Sequence, residues 1–299
     1  MPPVILLLQY LFCLISFPLY VLVVITMTCK PSLSSSTYFK ICISLGVSDL
    51  LSTLNDMGVI MPRMYGYLSG FYQIFDPVLN RVSNYGSWYF VVCQTLALAI
   101  LAWNRHCAIV HPLQFDVIWT RRFLKTCLAA QWLLSLLVTS PMIYYSNGYY
   151  KREPNSTLFS YHHFNEPIAT LGHSILAVYV LFLMILLACL YVAAFKHAAR
   201  QSRVIGAERN PRPIVKRSDA SDVVPDSVEL RLAVVGFFSC IQLFTGTAVA
   251  AATVVTDGFN DTFQVYCVLK MFFNLSNPYL LLYFSPALRR QVRLVCFGR

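Results

Sequence analysis

Charge is scarce in this chain. Asp, Glu, Lys and Arg make up 12% of its 299 residues, whereas 57% are hydrophobic, and the mean hydropathy is +0.60. A soluble domain carries about 25% charged and about 45–50% apolar residues. A fold of this length could not bury so much apolar surface and stay dissolved. Disorder is excluded too, because disordered chains are poor in aromatics and 14% of these residues are Phe, Trp or Tyr. The signatures of catalysis are missing. There is no HExxH, no GxSxG, no phosphate-cradling glycine loop and no carboxylate pair placed for hydrolysis, so the chain reads as no enzyme. Ten cysteines are present but no CxxC pair, which argues against a zinc site or a disulfide framework and for small apolar fillers inside helices.

What the sequence does have is long apolar runs. A bilayer-crossing helix needs about 20 mostly apolar residues, and seven stretches meet that test, at about 4–28, 38–62, 86–110, 125–146, 168–195, 231–255 and 263–285. The expectation is one all-α domain over 1–299, a seven-transmembrane bundle with a flexible cytoplasmic loop at 197–229 and a cytoplasmic tail at 286–299. The first run carries no charge over its 25 residues and lacks a basic leader, so it suits a retained helix better than a cleaved signal peptide. If the N-terminus is outside, 18 of the 23 Lys and Arg fall on the inner side and four (Arg63, Arg81, Lys151, Arg152) on the outer, with Lys270 inside a span. That bias sets the N-terminus outside and the C-terminus in the cytoplasm. The formal charge of +10 is then topology, not nucleic-acid binding. The sequon at Asn155 falls in an outer loop on the same reading and is a candidate glycosylation site.

Four motifs follow one another on the expected helices. The second carries "SLGVSDLLS", with Leu45 four residues before Asp49; the third ends in "WNRHCAIVHPL"; the fourth has Trp132 and then Pro141; the seventh ends in "NLSNPYLLLYFSPALRR". Together they resemble the LxxxD, DRYxAIxxPL and NPxxY segments of rhodopsin-like G-protein-coupled receptors. The segments "SFPLYVLVV", "YFKICISLGVSDLLS" and "WNRHCAIVHPLQFDVIW" are similar to the nematode serpentine chemoreceptors, class V (srv) in particular. That resemblance implies a chemosensory receptor, multi-pass in the plasma membrane of a sensory neuron. It would bind an extracellular small-molecule or peptide ligand in the outer half of the bundle and signal to a heterotrimeric G protein. The competing reading is a small-solute transporter or channel, against which the absence of internal repeats weighs.

The resemblance also assigns residues. Asp49, Asn277 and Pro278 would form the hydrated site of activation, with no resident cofactor except a sodium ion near Asp49. Arg105, with Asn104 in place of the family's acidic residue, would couple to the G protein, the bland alternative being simple positive-inside anchoring. Cys296 in the basic tail would be palmitoylated or an unmodified thiol. Departures from the wider family include Ile241 and Leu243 for the helix-six tryptophan and proline, and Leu281 for the NPxxY tyrosine. Cysteine is also absent from 147–166, which removes the usual outer disulfide.

One expectation comes from geometry alone. Asp56 lies seven residues outward of Asp49, and Lys270 seven residues outward of Asn277 on a helix running the other way. Seven residues are two turns, about 10.5 Å of rise. If Asp49 and Asn277 are level, Asp56 and Lys270 are level too and pair as ions. That pair would either receive a charged ligand group or tie helix two to helix seven. A lysine in the last span also raises a retinal Schiff base, but 86–104 contains no acid to serve as its counter-ion. The aromatics Tyr65, Tyr67, Phe71 and Tyr72 between spans two and three read as an interfacial belt.

Overall fold

The computed structural model describes residues 3–67, 69–145, 148–152, 159–163, 166–208, 227–255 and 259–298. Among them run seven long helices: α1 (Pro3–Cys29), α2 (Thr37–Asn55), α3 (Ser69–Val110), α4 (Arg121–Thr139), α5 (Glu166–Glu208), α6 (Ser227–Val255) and α7 (Phe259–Phe284). A shorter α8 (Pro286–Phe297) follows α7 and packs back on α1 and α7. The departure from an all-helical chain among the described residues is an antiparallel hairpin between α4 and α5. It pairs β1 (Gly148–Arg152) with β2 (Phe159–His163), Gly148 opposite His163 and Arg152 opposite Phe159. Asn155, the candidate glycosylation site, lies outside the described residues, as does 209–226 of the expected loop.

Among the described residues, three stretches are by themselves long and apolar enough to cross a bilayer, Leu7–Cys29, Val78–Val110 and Ala177–Arg200, and Arg231–Gln242 of α6 is a shorter apolar stretch. In α2, α4 and α7 polar side chains lower the hydropathy, and the fold turns many of them inward. Asp49, Gln94, Gln131, Ser135, Ser239, Lys270 and Asn277 are buried, while Leu14, Leu137, Val178 and Phe182 are exposed. Polar inside and apolar outside is the reverse of a water-soluble bundle. Lipid satisfies the outer face, so cohesion comes from close packing and interhelical hydrogen bonds. One such tie joins three helices. Trp132 Nε1 of α4 donates to Ser44 Oγ of α2 at 3.0 Å, Ser44 Oγ donates to Gln131 Oε1 at 2.9 Å, and Gln131 Nε2 donates to Cys93 Sγ of α3 at 3.3 Å. All ten cysteines are unpaired.

Helix α3 is the hub, packing against α2, α4, α5 and α6. It starts at Ser69 and runs 42 residues, well ahead of the apolar stretch at 86–110. At 1.5 Å per residue it is about 63 Å long, about twice the hydrocarbon thickness. Hydropathy marks where a helix suits lipid, not where its hydrogen bonding stops. Helix α4 begins after an N-cap in which Thr120 Oγ1 accepts from Phe123 N at 3.3 Å. It ends at Thr139 rather than 146: Ser140 is still helical, but Pro141 has no N–H to give the Leu137 carbonyl, which Ser140 N reaches instead at 3.3 Å, and a separate turn, Met142–Tyr145, follows.

The end of α2 is the most informative local feature. The helix widens into a π turn at Asp56–Ile60 before the segment Met61–Met64, and Met61 N reaches back to Asp56 O. Pro62 has no N–H to give the Gly58 carbonyl four residues earlier. That carbonyl is satisfied from another element, by Tyr72 Oη of α3 at 2.6 Å. The proline thus frees an acceptor, and a tyrosine from the neighbouring helix fills it.

Candidate functional site

The buried polar residues form three levels along α2, at Tyr38, Asp49 and Asp56. The steps between them are about 16.5 Å and about 10.5 Å of helix rise. The uppermost level lies near the end of the bundle where β2 packs on Met61–Met64. There Lys270 Nζ of α7 lies 3.0 Å from Asp56 Oδ1 and 2.9 Å from Oδ2. Side-chain exposure is 6% for the lysine and 4% for the aspartate. The two-turn offsets on antiparallel helices therefore bring together the residues that the sequence pairs. Next to them, Asn55 Nδ2 donates to the Ser83 carbonyl at 2.9 Å and to Ser87 Oγ at 3.0 Å, fixing α3 against the same turn of α2. Charges inside hydrocarbon are costly and persist where they are paired. Here mutual neutralisation is what permits both.

The middle level is built around Asp49, which is 1% exposed. Its Oδ2 accepts from Tyr20 Oη of α1 at 2.6 Å and from Asn277 Nδ2 of α7 at 2.7 Å. Its Oδ1 accepts from Gln94 Nε2 of α3 at 2.9 Å. Gln94 Nε2 also reaches Asn274 Oδ1 at 3.1 Å, and Ser239 Oγ of α6 donates to Asn277 Oδ1 at 2.8 Å. One carboxylate thus gathers donors from α1, α3 and α7, and Asn277 carries the connection to α6. Pro278 sits inside α7, withholding an N–H from the Asn274 carbonyl and marking a bend. Asp49 and Asn277 are in contact as the sequence reading requires. Tyr20, Gln94, Asn274 and Ser239 were not anticipated. Gln94, Asn274 and Ser239 were legible as polar residues in apolar runs. Tyr20 was not, since a tyrosine in a span is equally at home in an interfacial belt.

The lowest level holds Arg105, 3% exposed. Its Nε and Nη2 both donate to Asn104 Oδ1, and its guanidinium carbon sits 4.5 Å from the centroid of the Tyr38 ring. Tyr191 of α5 is fully buried nearby, and the space a Cβ would need at Gly236 of α6 is taken by the Tyr191 hydroxyl. Only glycine allows α6 to come this close. Phe237 then closes edge-on against Tyr191 and Phe195, with centroids at 6.1 and 5.7 Å. Leu281, at the NPxxY tyrosine position, is buried, while Tyr283 is exposed. Cys296 is exposed on α8.

Seven long helices packed around three buried polar levels define a multi-pass membrane protein of the seven-helix receptor class. Residues 9–296 match the family model described as serpentine type 7TM GPCR chemoreceptor Srv, and the chain belongs to that family. It is also similar to the human protein named Olfactory receptor 2AT4, with 28% identity over 155 residues. That alignment takes in 51% of this chain and 45% of the relative, so the chain spans about half the length of the curated relative it matches.

Proposed function

We propose that the protein is a chemosensory receptor of the plasma membrane, in a sensory neuron. Its N-terminus faces outside, and it couples an extracellular ligand to a heterotrimeric G protein. The observation that carries this reading is the stack of three buried polar levels inside a bundle of the Srv family, with a charged pair at the hairpin end and Arg105 at the other. A small molecule or peptide entering at the hairpin end meets Asp56 and Lys270, which exchange part of their mutual bonding for the ligand. The rearrangement passes through Asp49, Asn277 and the bend at Pro278 to the packing of α6 on α5. Loosening there frees Arg105 and Asn104 to meet the G protein. Ligand and G protein each bias the same two-state bundle, so each raises the other's affinity. Asn155 would carry glycan on the outer face and Cys296 an acyl chain on the inner.

The test is a ligand screen with a second-messenger readout in cells expressing wild type, Arg105→Ala or Lys270→Ala at matched surface level. The proposal expects hits that Arg105→Ala silences and a subset that Lys270→Ala silences. Hits that signal unchanged through Arg105→Ala refute the coupling role, and hits indifferent to Lys270→Ala remove the lysine from the binding site.

A further inference from the structure

We infer that Asp49 is held by a cage of neutral hydrogen-bond donors, with Tyr20 and Gln94 as its principal walls, and that this cage stands in place of a bound sodium ion. A buried carboxylate needs compensation, and either a cation or a set of N–H and O–H groups can supply it. The geometry supplies the second. Tyr20 Oη, Asn277 Nδ2 and Gln94 Nε2 approach the two carboxylate oxygens at 2.6, 2.7 and 2.9 Å, within the range of charge-assisted hydrogen bonds.

Each of these groups aims a positive hydrogen at Asp49, toward the space a cation would occupy. A hard cation is held by several oxygens, and the two asparagine amide oxygens of this network are already engaged. Asn274 Oδ1 accepts from Gln94, and Asn277 Oδ1 accepts from Ser239. The Ser48 and Thr53 hydroxyls donate to the Leu45 and Asp49 carbonyls, and Ser52 Oγ, one turn from Asp49, is buried without a hydrogen-bond partner. That leaves hydroxyl oxygens but, among the described residues, no second carboxylate at this level. The buried side-chain atom of Asn274 left without a partner is Nδ2, a further donor, which suits a water oxygen and opposes a cation. The donor set does not fit sodium. It also gives the carboxylate a different job: it clamps α1, α2, α3 and α7 at one level, and opening the clamp breaks hydrogen bonds instead of expelling an ion.

The test needs neither ligand nor G protein. Thermal unfolding of the purified receptor in nanodiscs is followed in sodium chloride and in choline chloride of equal ionic strength. A cation bound to the folded state raises Tm by mass action. The cage expects wild type to melt within about 1 °C in the two salts. It also expects Tyr20→Phe and Gln94→Leu each to lower Tm by about 4 °C or more, because each removes a bond to a buried charge. In infrared difference spectra against Asp49→Asn, the carboxylate stretch assigned to Asp49 should shift in Tyr20→Phe, a change that loss of packing alone would not cause. A sodium-dependent rise in wild-type Tm that Asp49→Asn abolishes overturns the inference. So does a Tyr20→Phe protein whose Tm and carboxylate band match wild type.

Discussion

Replacing Lys270 with methionine keeps the length of the side chain and removes its charge, leaving Asp56 without its counter-ion. The pair is close, 2.9 and 3.0 Å from nitrogen to the two oxygens, and almost fully shielded, so little water is available to take over from the lysine. Removing one member of such a pair costs about 3–5 kcal/mol, most of it the penalty of the stranded charge. At about 2–4 °C of Tm per kcal/mol for a chain somewhat smaller than this one, the loss is on the order of 6–20 °C, toward the lower end for this longer chain. Asp56→Asn should cost a similar amount by stranding the lysine. The double variant, Asp56→Asn with Lys270→Met, strands nothing and should recover most of the loss, because the attraction it forfeits was offset by desolvation from the start. A thiol-reactive dye reports the melt directly, since Cys42, Cys93, Cys107, Cys240 and Cys267 are buried and unpaired until the bundle opens. If the double variant falls by the sum of the single losses, within about 0.5 kcal/mol, the two side chains do not interact and the two-turn argument that joined them fails.

Other levels of the bundle make equally direct predictions. Tyr72→Phe should cost about 1–3 kcal/mol by leaving the Gly58 carbonyl without a donor. Adding Pro62→Ala, which supplies the missing N–H from within the helix, should restore part of that stability in the same melt. Gly236→Ala should collide with the Tyr191 hydroxyl and lower Tm, and Tyr191→Phe should relieve the clash only in part in the double variant, since the ring Cζ still lies 2.9 Å from the added carbon. Tyr38→Phe should behave as wild type because the ring face under Arg105 is kept. Tyr38→Leu should lose about 1–2 kcal/mol of cation–π attraction and raise basal second-messenger output at equal surface expression.

Much of this protein was legible in its residues, for a physical reason. Helices impose a fixed rise, so the seven-residue offsets from Asp49 to Asp56 and from Asn277 to Lys270 convert into matched heights. Proline has no N–H wherever it stands, so the end of α4 before Pro141 was foreseeable in kind, although 125–146 overran it. The boundaries of α3 were not, because apolarity ends where lipid ends while Ser69–Val110 continues as one hydrogen-bonded rod. The hairpin of β1 and β2 was missed for a related reason: its residues are too polar to register as a span, and a short strand pair leaves no signal in hydropathy.

The sequence by itself therefore determined which segments are apolar enough to suit a bilayer, how the charged residues are distributed among them, and which charges stand at matching heights. Those properties depend on composition and on distances along a single helix, and both are local. Tertiary structure alone decided that Tyr20 reaches Asp49 across 29 positions and Gln94 across 45, that Tyr38 lies under Arg105, and that Gly236 admits Tyr191. Each of these depends on the rotation of one helix about its axis relative to its neighbour. A turn of 100° per residue moves a side chain from lipid to interior without changing the composition of the span. Only packing against a particular partner selects the face.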